Sequence, residues 1–353
     1  AVKDAGGLRP NALYVGNMLA SSLSKQAQLG AMLADFAGYT GIEAATVEAA
    51  GASAAMALRV GTMAVASGMV DAAMVLGVEK LSEQVPAEVE AALAMSTDTD
   101  YEAEQGLTLT AQAAMLAQRY MYEYKVPEGA LGGFPLTAHA NGAHNPNAMF
   151  QKAVKPETYA KASIVSAPLN MFDIAPNADG AAALILTRPE LLPSGFPHAL
   201  VEIAGSSAVT DTLALHDRPD PLAFNAARLS IERACAQAGI MPKDADLFEL
   251  FDAFSIYSAL IMEAAGLSPK GEGWRWAQNG AIQLTGEMPL TTMGGLKARG
   301  FPGGATGAYQ AAEAALQLRG QAGGAQVKDA KTALVQSLGG PASTAVTFVL
   351  SRN

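Results

Sequence analysis

Residues 46–68, TVEAAGASAAMALRVGTMAVASG, decide the architecture. They read as a strand-like TVEAA, a glycine at Gly51 and a long helix of small residues, ASAAMALRVGTMAVASG. The turn Met69–Val70–Asp71 and the apolar strand AAMVLGVE, residues 72–79, follow. Strand, tight turn, helix and strand in that order make a parallel crossover unit. Alanine and glycine lie on nearly every face of the helix, so other backbones can approach it closely, and the helix is expected to be buried.

Upstream, AVKDAGG reads as the end of a helix with a glycine stop, followed by a short strand around Ala12–Val15. A domain rarely begins at a helix C-terminus, so an earlier strand and most of that helix are expected to be missing from the sequence. Downstream, residues from about 82 to 165 are richer in Asp, Glu, Tyr, Asn and Pro. They carry an amphipathic helix near Thr108–Tyr124 and an irregular HANGAHNPNAMFQK, and they form an excursion from the core. The core resumes at NADGAAALILTRPE, whose AAALILT is a continuous apolar strand of the kind found inside a covered sheet. A boundary follows at Pro189–Pro197, dividing the chain into halves at 1–190 and 191–353.

The second half repeats the plan. A strand in HALVEIAGSSAV, a helix around Pro221–Gly239 and a strand in DLFELFDAF lead to GGLKARGFPGGATG. The helix AYQAAEAALQLRG and the strands ALVQSL and AVTFVLS complete it. Duplication of one layered α/β/α unit accounts for both halves.

With 353 residues, 50% of them hydrophobic, the chain can bury two cores. Its 23 basic and 33 acidic residues give a net charge of −10, which opposes binding along a polyphosphate backbone and disfavours nucleic acid as a partner. No uninterrupted apolar stretch reaches the roughly 18 residues of a membrane span, and no basic region precedes an apolar run at the N-terminus. The expected setting is cytoplasmic, away from membranes. Cys235 is the only cysteine, so disulfides and multi-thiolate metal sites are excluded; SIERACAQAGI has helical periodicity, and the thiol reads as core filler. No metal is expected.

VEAAGASA at 47–54 resembles the nucleophile loop V-E-A-A-C-A-S-G of thiolases of the sterol-carrier-protein and archaeal type. GVEKLS at 77–82, NADGAAALIL, FDAF, GGLKARGFPGGATGAYQ and LGGPASTA resemble further blocks of the family, collinear from about residue 11 to the end. The resemblance implies an α/β thiolase fold, five-layered α/β/α/β/α, with two similar halves and an inserted loop domain. It also implies an acyl-CoA ligand, with no other cofactor.

Residue by residue, it puts four family catalytic positions on Gly51, Phe251, Phe301 and Ser337. In the family these are the cysteine nucleophile, the Asn or His of N-E-A-F or H-D-A-F, the His of G-H-P and a C-terminal-loop cysteine. A thiolate seated at a helix N-terminus attacks the acyl thioester in a working enzyme. Glycine has no atom for that step, although the N–H of Gly51 with those near Gly339 and Gly340 could still form an oxyanion pocket. Two phenylalanines in place of polar groups make the site drier. Decay of an idle site accounts for them equally, since each apolar filler gains about 2 kcal/mol of burial.

Possible substitutes are Asp252 as a base, otherwise a structural hydrogen-bond hub, and Tyr257 or Tyr309 as enolate donors, otherwise packing residues. His139 and His144 resemble a loop that contacts the pantetheine arm. Ala253, Phe254, Gly339 and Gly340 complete the substrate-binding set, and Lys297 and Arg299 either meet CoA phosphates or are solvated turn residues. Three functions follow from the resemblance. The first is an acyl-CoA-binding subunit without the acyl-transfer nucleophile, non-catalytic or partner-dependent. The second is a retro-aldolase cleaving a β-hydroxyacyl-CoA, and the third an acetyl-CoA C-acyltransferase. The family pairs chains through the strand after the nucleophile loop, here AAMVLGVE, so a homo- or hetero-oligomer with a thiolase-like chain is expected. A small zinc-ribbon/OB-fold partner is a further expectation.

Overall fold

The computed structural model describes residues 1–352. Its first half runs through β1 (Ala12–Gly16), α1 (Ala20–Leu23), α2 (Leu29–Phe36), β2 (Glu43–Val47), α3 (Ser53–Ala66), β3 (Ala72–Glu79) and α4 (Pro86–Ala94). It continues with α5 (Leu109–Tyr124), α6 (Gly133–Gly142), α7 (Pro156–Ala160), the hairpin β4 (Ile164–Ser166) and β5 (Leu169–Asn170), and β6 (Gly180–Thr187). The second half comprises β7 (Glu202–Thr210), α8 (Asn225–Ala238), β8 (Leu247–Glu249), α9 (Ser255–Ala264), α10 (Thr306–Leu318), β9 (Thr332–Gly339) and β10 (Thr344–Ser351).

Two four-stranded sheets result, ordered β2-β1-β3-β6 and β7-β10-β9-β8. In the first, β1 runs parallel to both β2 and β3, while β6 pairs antiparallel with β3. In the second, β9 is parallel to β8 and antiparallel to β10. The unit α3–β3–β6 thus has its counterpart in α10–β9–β10, which is the internal repetition expected from sequence. Helices α3 and α10 pack on each other between the sheets, α2 covers the first sheet and α8 the second, giving five layers.

The central layer depends on missing side chains. A Cβ on Gly307 of α10 would lie 2.4 Å from the Ala55 nitrogen of α3, and one on Gly16 at the end of β1 would lie 2.2 Å from the Ala54 Cα. Backbones this close exclude any larger residue. Ala54, Ala55, Ala57 and Leu58 of α3 are at most 1% exposed, as the small-residue pattern predicted.

Several expectations change. AVKDAGG forms turns, yet it keeps the bonding expected of a helix end with a glycine stop: the Ala5 and Gly7 amides donate to the carbonyls of Ala1 and Val2 at 2.8 and 2.9 Å. Strand β6 lies at a sheet edge with most of its residues half-buried, so its apolar run does not mean cover on both sides. AAMVLGVE is the reverse case. β3 lies inside the sheet, paired with β6 along its length and with β1 over Ala73–Gly77, so it offers no edge to another chain; the edges of this sheet are β2 and β6. DLFELFDAF yields only the three-residue β8, and FDAF leads from it into α9. The first residues of HANGAHNPNAMFQK lie in α6, where Asn141 donates to the Leu290 and Thr291 carbonyls at 3.1 and 3.2 Å. Cys235 is buried in α8, and burial pushes its thiol pKa up to about 11, so it is core filler as expected. No helix among the described residues is long and apolar enough to cross a membrane.

Beneath the loops that end β8 and precede α10 lies a buried charged layer. Arg299 pairs with Glu313 at 2.8 Å, their side chains 3% and 6% exposed, and its guanidinium covers the Tyr309 ring at 4.5 Å. Glu249 accepts from the Thr292 amide at 2.9 Å, and burial, reinforced by the Glu313 charge, pushes its pKa from 4.5 to about 8. Burial raises Glu313 as well. A carboxyl whose pKa is higher folded than unfolded stabilises the fold most when protonated. Its contribution is complete below about pH 4.5 and is lost as the pH rises through about 8. The denaturant midpoint should therefore fall between pH 5.5 and 8.5, and Glu249→Gln should flatten that slope. Identical slopes for the two proteins would refute this origin of the pH dependence.

Candidate functional site

The turn that begins α3 is built locally. Ala50 takes φ +50°, and Ser53, wholly buried, closes the turn by donating to the Ala50 carbonyl at 2.6 Å and accepting from the Ala49 amide at 2.9 Å. The left-handed residue is Ala50, so the backbone does not require glycine at 51. Space does. A Cβ on Gly51 would lie 2.7 Å from the Leu338 carbonyl oxygen and 2.9 Å from the tip of the Phe251 ring. Volume that a side chain at 51 would take is already occupied.

Phe251 follows β8 and meets Phe301 edge-on, with ring centroids 5.8 Å apart. The Phe301 amide donates to the Pro176 carbonyl at 2.8 Å, and its own carbonyl accepts from Ala178 at 3.0 Å, which fixes the GFP turn after Gly300 (φ +109°). Behind these rings, Phe254 and Phe224 pack on Tyr257 at 5.0 and 5.3 Å. Met18 is placed by Glu79 at the end of β3, whose carboxylate accepts from the amides of Met18, Leu19 and Gly304 at 2.9, 3.2 and 3.0 Å. A Cβ on Gly303 would meet that carboxylate's Cγ at 2.8 Å, so both loops close on Glu79.

These elements enclose a cavity of about 20 Å³, room for one or two waters. Of the residues singled out from sequence, Gly51, Phe251, Ala253, Phe254, Tyr257, Phe301 and Gly340 line it. Gly339 abuts the same turn, its Cβ position 2.5 Å from the Ala49 carbonyl oxygen. Tyr257 is 1% exposed, its hydroxyl has no hydrogen-bond partner, and burial raises its pKa.

The remaining candidates lie elsewhere. Ser337 in β9 donates to Gln310 of α10 inside the core. Asp252 faces a second, smaller cavity beside Ser258 and Thr291; its Oδ1 accepts from the Leu296 amide at 2.7 Å, and burial raises its pKa. Its Oδ2 is buried without a partner, so one side-chain bond holds it, and it lines the cavity beside Ser258 and not the one around Gly51. His139 in α6 lies against Phe150 at a tilt and meets Phe172 edge-on, with centroids 5.7 and 5.6 Å away, and burial with the nearby Lys297 charge pushes its pKa down to about 4, leaving the ring neutral at pH 7. His144 is exposed beyond that helix, against Gly324. Neither histidine lines the cavity around Gly51.

Lys297 and Arg299 are 1% and 6% exposed, and the Lys297 Nζ donates to the Asp173 carbonyl at 2.7 Å. Neither is a solvated turn residue nor placed to meet a phosphate. Met18, Ser96 and Leu109 line the cavity without any sequence signal, because each comes from a different loop or helix start with no motif of its own. No cluster of three or more His, Cys, Asp or Glu residues that could hold a metal occurs among the described residues.

A thiolase N-terminal domain model matches residues 4–168, and a thiolase C-terminal domain-like model matches residues 207–352. Acetyl-CoA acetyltransferase of Methanothermobacter thermautotrophicus is 40% identical, over 100% of this chain and 92% of that protein. The benzoylsuccinyl-CoA thiolase subunit BbsB of Thauera aromatica is 31% identical, over 80% of this chain and 72% of its own length. Among solved structures, the Ltp2-ChsH2(DUF35) aldolase superposes with a TM-score of 0.82 at 22% identity, covering 100% of this chain and 90% of that one. Human mitochondrial 3-ketoacyl-CoA thiolase superposes at 0.73 and 17%, covering 100% and 90%. At these identities the superpositions speak to the fold alone. Full-length identity of 40%, with thiolase models matching both halves, means that the chain belongs to the thiolase family.

Proposed function

We propose that this chain is a thiolase-family subunit that holds an acyl-CoA thioester without taking the acyl group onto itself, and that it works with a partner chain. The observation that carries the reading is the filled space at Gly51: the Phe251 ring and the Leu338 carbonyl stand within 3.0 Å of any Cβ there. Acyl transfer through a nucleophile at that turn needs both the side chain and a place for it. The cavity is lined mainly by aromatic and aliphatic side chains, as ligand pockets are. An acyl chain enters it once the Phe251 or Phe301 ring turns aside, and both rings sit on loops between regular elements. Partner dependence has support in the names of two similar proteins, one a thiolase subunit and the other an aldolase of two named components.

A retro-aldolase is the second reading, and one observation favours it. Tyr257 lines the cavity and its hydroxyl is unpartnered, and such a group is a proton donor or acceptor that needs no covalent intermediate. Aldehyde or ketone release from β-hydroxyacyl-CoA esters by the pure chain would establish that activity over the non-catalytic one. The relatives named acetyl-CoA acetyltransferase supply the third reading, and thiolysis decides it.

Purified protein should show no thiolysis of acetoacetyl-CoA above the uncatalysed rate. Gly51→Cys alone should stay inactive and lose about 1–3 kcal/mol of stability by overpacking against Phe251. Combining Gly51→Cys with Phe251→Asn and Phe301→His should give measurable thiolysis. Activity in the unaltered chain, or in Gly51→Cys alone, refutes the proposal. In scanning calorimetry CoA should raise the melting temperature, by about 2.7 kcal/mol of stabilisation at a hundredfold excess over Kd, and ATP should not. Equal shifts with both nucleotides would mean that only the adenosine phosphates are recognised. Native mass spectrometry of the chain co-expressed with its genomic neighbours should show a hetero-oligomer, and an exclusively homomeric species would remove the partner.

A further inference from the structure

Next to the cavity, beyond its lining residues Tyr257 and Leu109, lie more unpaired buried polar atoms than a core normally leaves. They come from α5, α9 and the loop at 211–218, and of the residues that carry them only Tyr257 itself lines the cavity. Arg218 is 6% exposed and held rigidly, its Nε donating to the Thr212 carbonyl at 2.9 Å and its Nη1 to the Pro341 carbonyl at 2.7 Å, next to the cavity-lining Gly340. Its Nη2 has no partner, and no carboxylate lies within ion-pair distance of it among the described residues. The Tyr257 hydroxyl is unpartnered and feels the Arg218 charge. Gln112, 1% exposed, leaves both amide atoms unpaired; it lies one turn beyond the cavity-lining Leu109, on the same face of α5, the helix that packs against α9. The Asp211 Oδ2 is buried and unpaired as well.

We propose that Arg218, Tyr257, Gln112 and Asp211 form the far end of the acyl pocket, and that they select an acyl group bearing a hydroxyl. This inference rests on the reading of the chain as an acyl-CoA-binding protein.

The mixture of free atoms decides the chemistry. Arg218 Nη2 and Gln112 Nε2 are donors, Asp211 Oδ2 and Gln112 Oε1 are acceptors, and the Tyr257 hydroxyl is either. A hydroxyl accepts from the first set and donates to the second. A carboxylate only accepts, so it would leave Asp211 and Gln112 Oε1 facing like partial charges. It would also add a third anion to Asp211 and Glu102, whose charges already act on the single Arg218 cation. A plain alkyl chain would leave all five atoms desolvated and unpaired, which is how a site built for a hydroxyl rejects the analogue lacking it.

Isothermal titration of the whole chain with CoA, butyryl-CoA, 3-hydroxybutyryl-CoA, 4-hydroxybutyryl-CoA and succinyl-CoA tests this. At least one hydroxyacyl ester should bind at least about tenfold tighter than butyryl-CoA. In Tyr257→Phe and Gln112→Leu, that preference should fall to within about threefold while affinity for CoA itself holds. A melting curve like that of the unaltered protein shows that each variant is folded. If butyryl-CoA binds as tightly as both hydroxyacyl esters, the unpaired atoms hold buried water only, and this inference fails while the acyl-CoA reading stands. Tightest binding of succinyl-CoA would assign the wall to a carboxylate and overturn it in the same way. If no CoA ester binds at all, the acyl-CoA reading itself falls.

Discussion

The contact of α3 with α10 through bare backbone sets the rest of the structure. Gly307 stands where a methyl group would strike the Ala55 nitrogen, and alanines at 54, 55, 308 and 311 leave the two helices nothing bulky to keep them apart. Helices this close bring their N-terminal turns together, so the Gly51 turn and the Gly303–Ala305 turn touch each other, and β9 ends against the first of them. Four stretches far apart in sequence, near residues 50, 252, 301 and 339, are delivered to one place by a single packing constraint. The site is a consequence of the core, and it persists whatever side chains the loops carry.

Polar order below the loops follows the same geometry. Glu79 gathers the amides of Met18, Leu19 and Gly304, joining the end of β3 to a loop of each half. Arg299, Glu313, Glu249 and Lys297 fill the layer beneath, where burial governs their ionisation: both carboxyls are driven up and the Lys297 ammonium down to about 8. Charges in such a layer are retained only when paired or hydrogen-bonded. Lys297 on the Asp173 carbonyl and Arg299 on Glu313 meet that condition.

Much of this was legible in the sequence because periodicity reports packing directly. The small-residue run of α3, the strand at 72–79, the helix α5 and the final strand pair β9–β10 each follow from the spacing of apolar residues. The family resemblance then brought Gly51, Phe251, Phe301 and Gly340 to one site, and the structure places them around one cavity. Other features lay beyond local pattern. An apolar strand reads alike at the centre and at the edge of a sheet, so β3 and β6 exchanged the parts expected of them. GGLKARG has the composition of a solvated turn, and only its burial under the Gly51 site shows that the two cations face inward. Arg218 and Gln112 gave no signal, since an arginine in a polar loop and a glutamine on an amphipathic helix are ordinary surface residues until tertiary packing covers them.

Gly51 and Phe251 also bear on what the turn before α3 can accommodate. Glycine in place of a larger residue would by itself leave space vacant, at a cost that rises with the volume of the void. Here the void is closed: the ring tip of a residue 200 positions away stands 2.9 Å from where a Cβ would be, and Phe301 braces that ring edge-on. The three residues form one steric unit, in which glycine admits the phenylalanine and the phenylalanine then forbids anything larger than glycine. Change by single steps is therefore uphill at either residue. Adding a side chain at 51 first creates a clash, and trimming Phe251 first opens a cavity worth about 3–5 kcal/mol. A turn packed this way keeps its helix N-terminus and its apolar walls while leaving no room for a side chain at residue 51.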